Sequence, residues 1–348
     1  MAEIKQMRFA EGKESSYVPD IKITLAPDLV AQIVNYANAC CKIYPKMAPE
    51  ATKIFNQFQV PTNICRVDCS VVDPSIQKLE GNYQISGKNV FNIENEENPR
   101  GRAFTSMINQ QFEESFGSLH RPGIDNIAVV SDQRKLRHNF DDGLIPNYLV
   151  DINKARKMLL ENPDLYINPI DISTNRLADQ FPDLVSSFGS TSKTEGNKLY
   201  QVESGQAFLG NDIDDANQQF LLETGFVSQP FKDTSKTRGI ALYLPKNKTV
   251  NPDDHKYLIN TQQEALKFLK RKSVIIKPYC PPIEINPIVQ SENLPSLQDY
   301  VGIIRFYLLF NQTTKIFIPA GGTLMARPKS SVVIHGTPDS VAFPVIIS

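Results

Sequence analysis

The chain has little that would mark it for a membrane, a nucleic acid or an oxidising compartment. No apolar run approaches the ~20 residues that span a bilayer, and the opening Met1-Ala2-Glu3-Ile4-Lys5-Gln6-Met7-Arg8 carries no signal core. A cytoplasmic protein without a membrane partner is expected. The formal net charge of −1 over 348 residues gives no general hold on phosphate backbones, and the Lys and Arg residues are scattered, so no nucleic-acid partner is expected either. The five cysteines, Cys40, Cys41, Cys65, Cys69 and Cys280, are odd in number and contain no Cys-x-x-Cys pair, which excludes a disulfide framework or a structural zinc site and leaves reduced core thiols. Gly-x-Ser-x-Gly, the P-loop and His-Glu-x-x-His are all missing, as are repeats and low-complexity tracts.

What is present is an apolar content of 41%, enough for a substantial core divided among two or three structural units. The most informative stretch is Arg66 to Gly101. Read as a strand, Arg66-Val67-Asp68-Cys69-Ser70-Val71-Val72 puts Arg66, Asp68 and Ser70 on one face and Val67, Cys69 and Val71 on the other. Val90-Phe91-Asn92-Ile93-Glu94-Asn95-Glu96 repeats the alternation, with Phe91 and Ile93 on one side and Asn92, Glu94 and Glu96 on the other. Paired with their apolar faces together, the two arms bring Asp68 towards Glu94 and Glu96. Crowded carboxylates stay ionised cheaply only beside a cation, and oxygen ligands of this kind suit Mg²⁺. A solvated hairpin face with ordinary surface charges fits the same alternation.

Elsewhere, Pro27-Asp28 opens a helix with Leu29, Val30, Ile33, Val34 and Ala37 at helical spacing, and a second helix begins at Pro49. The first twenty residues read as a polar lead-in. Ala103 to Phe116 reads as one helix with Phe104, Met107, Ile108 and Phe112 inward. Ile127-Ala128-Val129-Val130 has the form of a buried parallel strand, and with a helical pattern at 153–160 and a strand near 165–172 it makes a small α/β unit. Residues 186–205 form a linker. A strand, a basic loop with Lys232, Lys236, Arg238 and Gly239, and a second strand follow; cationic side chains and approachable N–H groups suit phosphate, and a solvated loop suits the same letters. Ser273 to Tyr279 is a β-branched strand in which Lys277 interrupts the apolar run. In the strand 303–310, Arg305 and Tyr307 share a face opposite Ile304, Phe306, Leu308 and Phe310, so the guanidinium needs an anion. Glu284-Ile285-Asn286-Pro287, in a proline-rich loop, is set aside as a metal candidate, as are His335 and Asp339, which have no second ligand at a sensible spacing.

Arg66-x-Asp68, a strand carrying Glu94-Asn95-Glu96 or Glu96-Glu97-Asn98, then Pro99-x-Gly101, resembles the metal-binding part of the circularly permuted ATP-grasp ligases, the group of glutathionylspermidine synthetases. Pro319-Ala320-Gly321-Gly322 followed by Arg327 resembles that family's closing motif, and the carboxylate hairpin preceding the phosphate loop matches its permuted order. Gln229 stands where the family carries a phosphate-binding Lys, a departure. The resemblance implies an α+β or α/β chain: an ATP-grasp fold in permuted order, with its N-terminal part at 1–117, a small substrate-side α/β domain at 118–195 and a nucleotide-binding part at 196–348. It implies ATP and Mg²⁺, with Asp68, Glu94, Glu96 and Asn98 on the metal. Arg66, Arg305 and Arg327 would face the reacting groups, and Lys232, Lys236, Gly239, Lys277 and Tyr279 the nucleotide. The implied activity joins a small-molecule or peptide carboxylate to an amine through an acyl phosphate. Loss of turnover, leaving a nucleotide-binding module, is the alternative that Gln229 and the irregular Glu/Asn spelling raise.

Overall fold

The structure, a computed structural model, describes residues 2–8, 14–47, 64–96, 102–120, 127–130, 149–150, 157, 160–161, 166–169, 201–230, 240–244, 250, 252–311, 314, 316–331, 334 and 339–348. Within them the chain is a mixed α/β protein built on a large mixed sheet of eleven strands. The helix expected from Pro49, the loop bearing Lys232, Lys236 and Gly239, Asn98 and His335 all lie outside the described residues.

The large sheet draws on both ends of the sequence. From the N-terminal side come β1 (Lys5–Arg8), β2 (Glu14–Tyr17), β3 (Lys22–Leu25), β4 (Ile64–Val72), β5 (Ser75–Leu79), β6 (Asn82–Ser86) and β7 (Asn89–Glu96). The polar lead-in is therefore a hairpin and not loose chain: β1 pairs with β2, whose Ser16 and Tyr17 then pair in parallel with the last strand. Short strands of mixed polarity such as Glu14–Tyr17 carry little periodicity, so only the partner strand reveals them.

Between these strands and the rest of the sheet in sequence lie β8 (Ile127–Val130), β9 (Leu149–Val150) and β10 (Tyr166–Pro169), which form a separate three-stranded parallel sheet with β8 in the middle, as the continuous apolar run Ile127–Val130 predicts. A four-stranded sheet follows, from β11 (Phe208–Leu209), β12 (Phe226–Pro230), β13 (Ala241–Tyr243) and β14 (Val274–Pro278), in the order β11-β14-β12-β13 with antiparallel neighbours. The large sheet is completed by β15 (Ile283–Glu284), β16 (Tyr300–Asn311), β17 (Ile316–Pro328) and β18 (Val341–Ile346). Its main path runs β5-β6-β3-β18-β17-β16-β4-β7.

Helix α1 (Pro27–Met47) covers one face of this sheet. Leu29, Ile33, Tyr36, Ala37 and Cys40 recur at helical spacing and are buried with Val67, Cys69, Val71, Ile304, Phe306 and Leu308. Each large apolar side chain fully buried this way contributes about 1.5–3 kcal/mol. The opposite face is covered in part by α2 (Arg102–Ile108) and α3 (Gln110–His120). These replace the single helix read from the sequence. The break falls at Asn109, whose Nδ2 donates to the carbonyls of Gly322 (3.0 Å) and Val345 (2.8 Å) while its Oδ1 accepts from the Phe112 N–H (3.2 Å). Asn109 keeps its backbone bonds to Thr105 and Glu113, and its side chain caps α3 and ties the junction to two strands. Phe104, Ile108 and Phe112 are buried as expected, but Met107 is 51% exposed.

The four-stranded sheet carries α4 (Asp215–Thr224) and α5 (Gln262–Leu269), with Leu221, Phe226, Tyr243, Ala265, Leu269 and Ile276 in its core. Both helices start where the sequence supplies a cap: Asp214 Oδ1 accepts from the Asn217 N–H (2.8 Å), and Thr261 Oγ1 accepts from the Glu264 N–H (3.1 Å). After β14 the chain passes directly into β15, which pairs with β16, and then α6 (Asn286–Ser291). The two sheets are therefore joined at the β4–β7 edge. Ser70 Oγ donates to the Pro281 carbonyl (2.9 Å), and Asn92 Nδ2 to Gln206 Oε1 (2.9 Å). No helix is long and apolar enough to cross a membrane among the described residues. Cys40, Cys65 and Cys69 are buried in the core outside any disulfide, and burial raises the Cys69 thiol far above its ordinary range.

Candidate functional site

Strand alternation places a polar row on the large sheet's α2–α3 face. The register pairs Glu94 with Asp68, Asp68 with Arg305 and Arg305 with Thr323, so four side chains from β7, β4, β16 and β17 stand in line. The next row is Glu96, Arg66, Tyr307 and Gly321. Arg66, Asp68 and Thr323 are buried, and the Arg305 side chain is 15% exposed.

Within the row Asp68 is the hub. Arg66 Nε and Nη2 donate to Asp68 Oδ1 (2.6 Å) and Oδ2 (3.0 Å), a two-point pair of the kind planar guanidinium favours. Arg305 approaches the same carboxylate only to 3.6 Å, from Nε to Oδ2. Among the described residues that buried Nε has no hydrogen-bond partner, and Nη2 makes one long contact, 3.5 Å to the Ile334 carbonyl. The Tyr307 ring lies 6.0 Å from the Arg66 guanidinium and packs against Phe112 at 4.9 Å between centroids.

Two glycines allow this arrangement. A Cβ on Gly322 would sit 2.0 Å from the Arg305 carbonyl oxygen, so only glycine lets β17 lie against β16 at this point. Gly321, at φ +88°, adjoins the register shift between Tyr307 and Leu308.

Sequence periodicity misplaced part of β7. The register slips between Asp68 and Cys69, so Glu94 pairs with Asp68 but Asn92 pairs with Cys69, leaving Ile93 as the extra residue. Asn92 accordingly leaves the side of Glu94 and bonds Gln206, while Ile93 packs with Phe104, Ile108 and Ile303. At this bulge Lys277, buried in β14 of the other sheet, donates from Nζ to the Ile93 carbonyl (2.5 Å). Lys277 thus ends beside Glu94 and one strand from Asp68.

Arg327 lies further along the same face, opposite Val301. Its Nε and Nη2 donate to Asp339 Oδ1 (3.3 Å) and Oδ2 (3.0 Å), and Asp254 approaches its Nη1 to 3.9 Å. Tyr279 follows β14; its N–H donates to the Gly225 carbonyl (2.9 Å), and burial pushes its hydroxyl up to about 12. Gln229 is on β12 opposite Ile275, and Glu284, set aside as a ligand, pairs with Lys329 at 2.5 Å on the surface.

Of the four expected metal ligands, the side chains of Asp68 and Glu94 fall in the described part. Glu94 is exposed, and both Asp68 oxygens accept from Arg66. Among the described residues no three His, Cys, Asp or Glu side chains stand close enough to hold a metal. A carboxylate between two guanidinium groups does not fit a divalent cation, since the arginines already supply its counter-charge. Thr323, Asp254 and the Ile93 carbonyl escaped the sequence reading. Thr323 shares strand parity with Arg327 and was legible in principle; Asp254 and a backbone oxygen at a bulge have no sequence signal.

No family model matches the chain, and no curated protein matches it. Among solved structures it is similar to a glutathione synthetase-like effector from Globodera pallida in its apo form, at 10% identity and a TM-score of 0.40, over 98% of this chain and 92% of that one.

Proposed function

We propose that the protein is an ATP-dependent carboxylate–amine ligase that binds its nucleotide where the four-stranded sheet meets the β4–β7 edge of the large sheet. The observation that carries this reading is the placement of Arg305, from one sheet, and Lys277, from the other, at opposite ends of the Asp68–Glu94 pairing. Two cationic groups from separate sheets suit a polyanion held between those sheets.

In such a reaction the γ-phosphoryl group passes from ATP to a substrate carboxylate oxygen, releasing ADP. The amine then attacks the carbonyl carbon of the acyl phosphate, a C–N bond forms as the C–O bond to phosphate breaks, and inorganic phosphate leaves with the proton the amine gives up. The chain supplies positioning and positive charge where the phosphoryl oxygens gather, and no covalent residue is needed. A divalent cation would arrive with the nucleotide, held chiefly by phosphate oxygens, and no step is assigned to it. The division of the chain into 1–117, 118–195 and 196–348, and the nucleotide role of Lys232, Lys236, Gly239 and Tyr279, belong to this proposal.

The test is ADP release by the full chain with Mg-ATP across a panel of carboxylic acids and amines. Release that rises with one acid–amine pair and falls at least about tenfold in Arg305→Gln is expected. No ADP with any pair sinks the ligase reading. A second reading rests on the capture of Asp68 by Arg66: the site binds nucleotide and no longer turns it over. Titration calorimetry showing heat of Mg-ATP binding without ADP formation is the result that favours it.

A further inference from the structure

The two guanidinium groups beside Asp68 are not equivalent, and we infer that Arg305 alone receives an oxyanion, while Arg66 is the permanent structural partner of Asp68. The inference deepens the nucleotide-binding reading but rests on the row itself. The family resemblance implied the same duty for Arg66 and Arg305, and both stand on the polar side of their strands. Their surroundings separate them.

Arg66 is 3% exposed and spends Nε and Nη2 on the two oxygens of Asp68, at 2.6 and 3.0 Å. Turning it to a ligand would strip a buried carboxylate of both its hydrogen bonds. Arg305 reaches the same carboxylate at 3.6 Å, beyond hydrogen-bond range, and a buried donor of its side chain is unmatched. Its other contact, to the Ile334 carbonyl, is at the 3.5 Å limit. Among the described residues, then, Arg305 holds charge complementarity without hydrogen-bond satisfaction. An oxyanion that accepts from Arg305 gains charge-assisted hydrogen bonds and displaces almost none. Thr323, buried directly opposite on β17, and Gly322, whose missing side chain lets the strands close, frame the position. Because Arg66 already answers both Asp68 oxygens, the Arg305 charge is left to meet an anion.

Two oxyanions have this chemistry, a phosphate of the nucleotide and the carboxylate of an acid substrate. The experiment uses the full chain in EDTA, with inorganic pyrophosphate in one arm and L-glutamate in the other, read by titration calorimetry, and thermal unfolding as the fold check. In Arg305→Gln, affinity for at least one probe is expected to fall about tenfold or more with the unfolding transition unmoved. Arg305→Lys, which keeps the charge but not the fork, should recover part of that loss. In the double variant Arg66→Met with Asp68→Leu, affinity should stay within about threefold, because a buried pair exchanged for apolar residues of like volume keeps its fold.

Loss confined to pyrophosphate assigns the phosphate, and loss confined to glutamate assigns the substrate carboxylate. Wild type binding neither probe, Arg305→Gln binding both as wild type does, or a folded double variant that loses about tenfold would each overturn the inference. Should the double variant not fold, the Arg305→Gln and Arg305→Lys pair decides. Failure of the ligase reading shows separately, as absence of ADP, and leaves the pyrophosphate comparison standing.

Discussion

The two faces of β4 and β16 are buried almost equally and hold opposite chemistry. Towards α1 stand Cys65, Val67, Cys69, Ile304, Phe306 and Leu308, none more than 1% exposed; on the reverse of the same strands stand Arg66, Asp68, Ser70, Arg305 and Tyr307. Strand periodicity of two makes this possible, since neighbouring residues serve different environments without any change of backbone. The apolar face is held by contact area, which tolerates no deletion. The charged face is held by mutual satisfaction, which tolerates no removal of one partner alone.

The largest effects should come from breaking each face once. Phe306→Ala should cost about 3–5 kcal/mol in urea unfolding, and Arg66→Met alone somewhat less, about 2–3 kcal/mol, because Asp68 loses both hydrogen bonds but keeps Arg305 at 3.6 Å. The contrast sharpens in the rescue. Adding Asp68→Leu to Arg66→Met should restore stability to within about 1 kcal/mol of wild type, whereas no second polar change can refill the space left by Phe306. If the double variant is no more stable than the single, the charged face is held by something other than its ion pair.

Gly322→Ala comes next, with an expected loss of about 1–3 kcal/mol. Its Cβ would meet the Arg305 carbonyl at 2.0 Å, so the loss should appear together with altered anion binding. Asn109→Ala should cost about 1–3 kcal/mol, because the Gly322 and Val345 carbonyls lose their donor. An unchanged unfolding midpoint would show that water replaces it.

The smallest effect belongs to a surface pair remote from both faces. Hydrogen bonds from Lys78 (2.5 Å) and Tyr83 (2.7 Å) lower the Glu292 carboxyl below its ordinary range. A group held lower in the folded state stabilises above its unfolded pKa and loses that contribution as pH falls through the folded value. Wild type should therefore exceed Glu292→Gln slightly in thermal stability at neutral pH, and the gap should close below about pH 4. A gap that persists in acid assigns the difference to shape and not to charge.

How much of this was written in the letters differs between the faces too. The α1 face was fully legible: Val67, Cys69, Ile304, Phe306 and the helical set from Leu29 to Ala37 follow from period alone. The polar face was legible in membership, since Arg66, Asp68 and Arg305 were read onto one side of their strands and the register puts them there. Its partnerships were not. Which carboxylate a guanidinium takes is decided by distances across strands far apart in sequence, and no local pattern encodes the slip at Ile93 that parts Asn92 from Glu94. The hairpin of β1 and β2 was missed because its pairing with β18 joins segments more than 300 residues apart.

That last pairing governs how the chain can assemble. Before β16, β17 and β18 exist, the earlier described strands of the large sheet make three unconnected ribbons, β5-β6-β3, β4-β7 and β1-β2, each with an open edge. A growing polypeptide on the ribosome must carry those edges unsatisfied until residues 300–346 emerge, which makes it a natural client for holding chaperones and a poor candidate for expression as an N-terminal fragment.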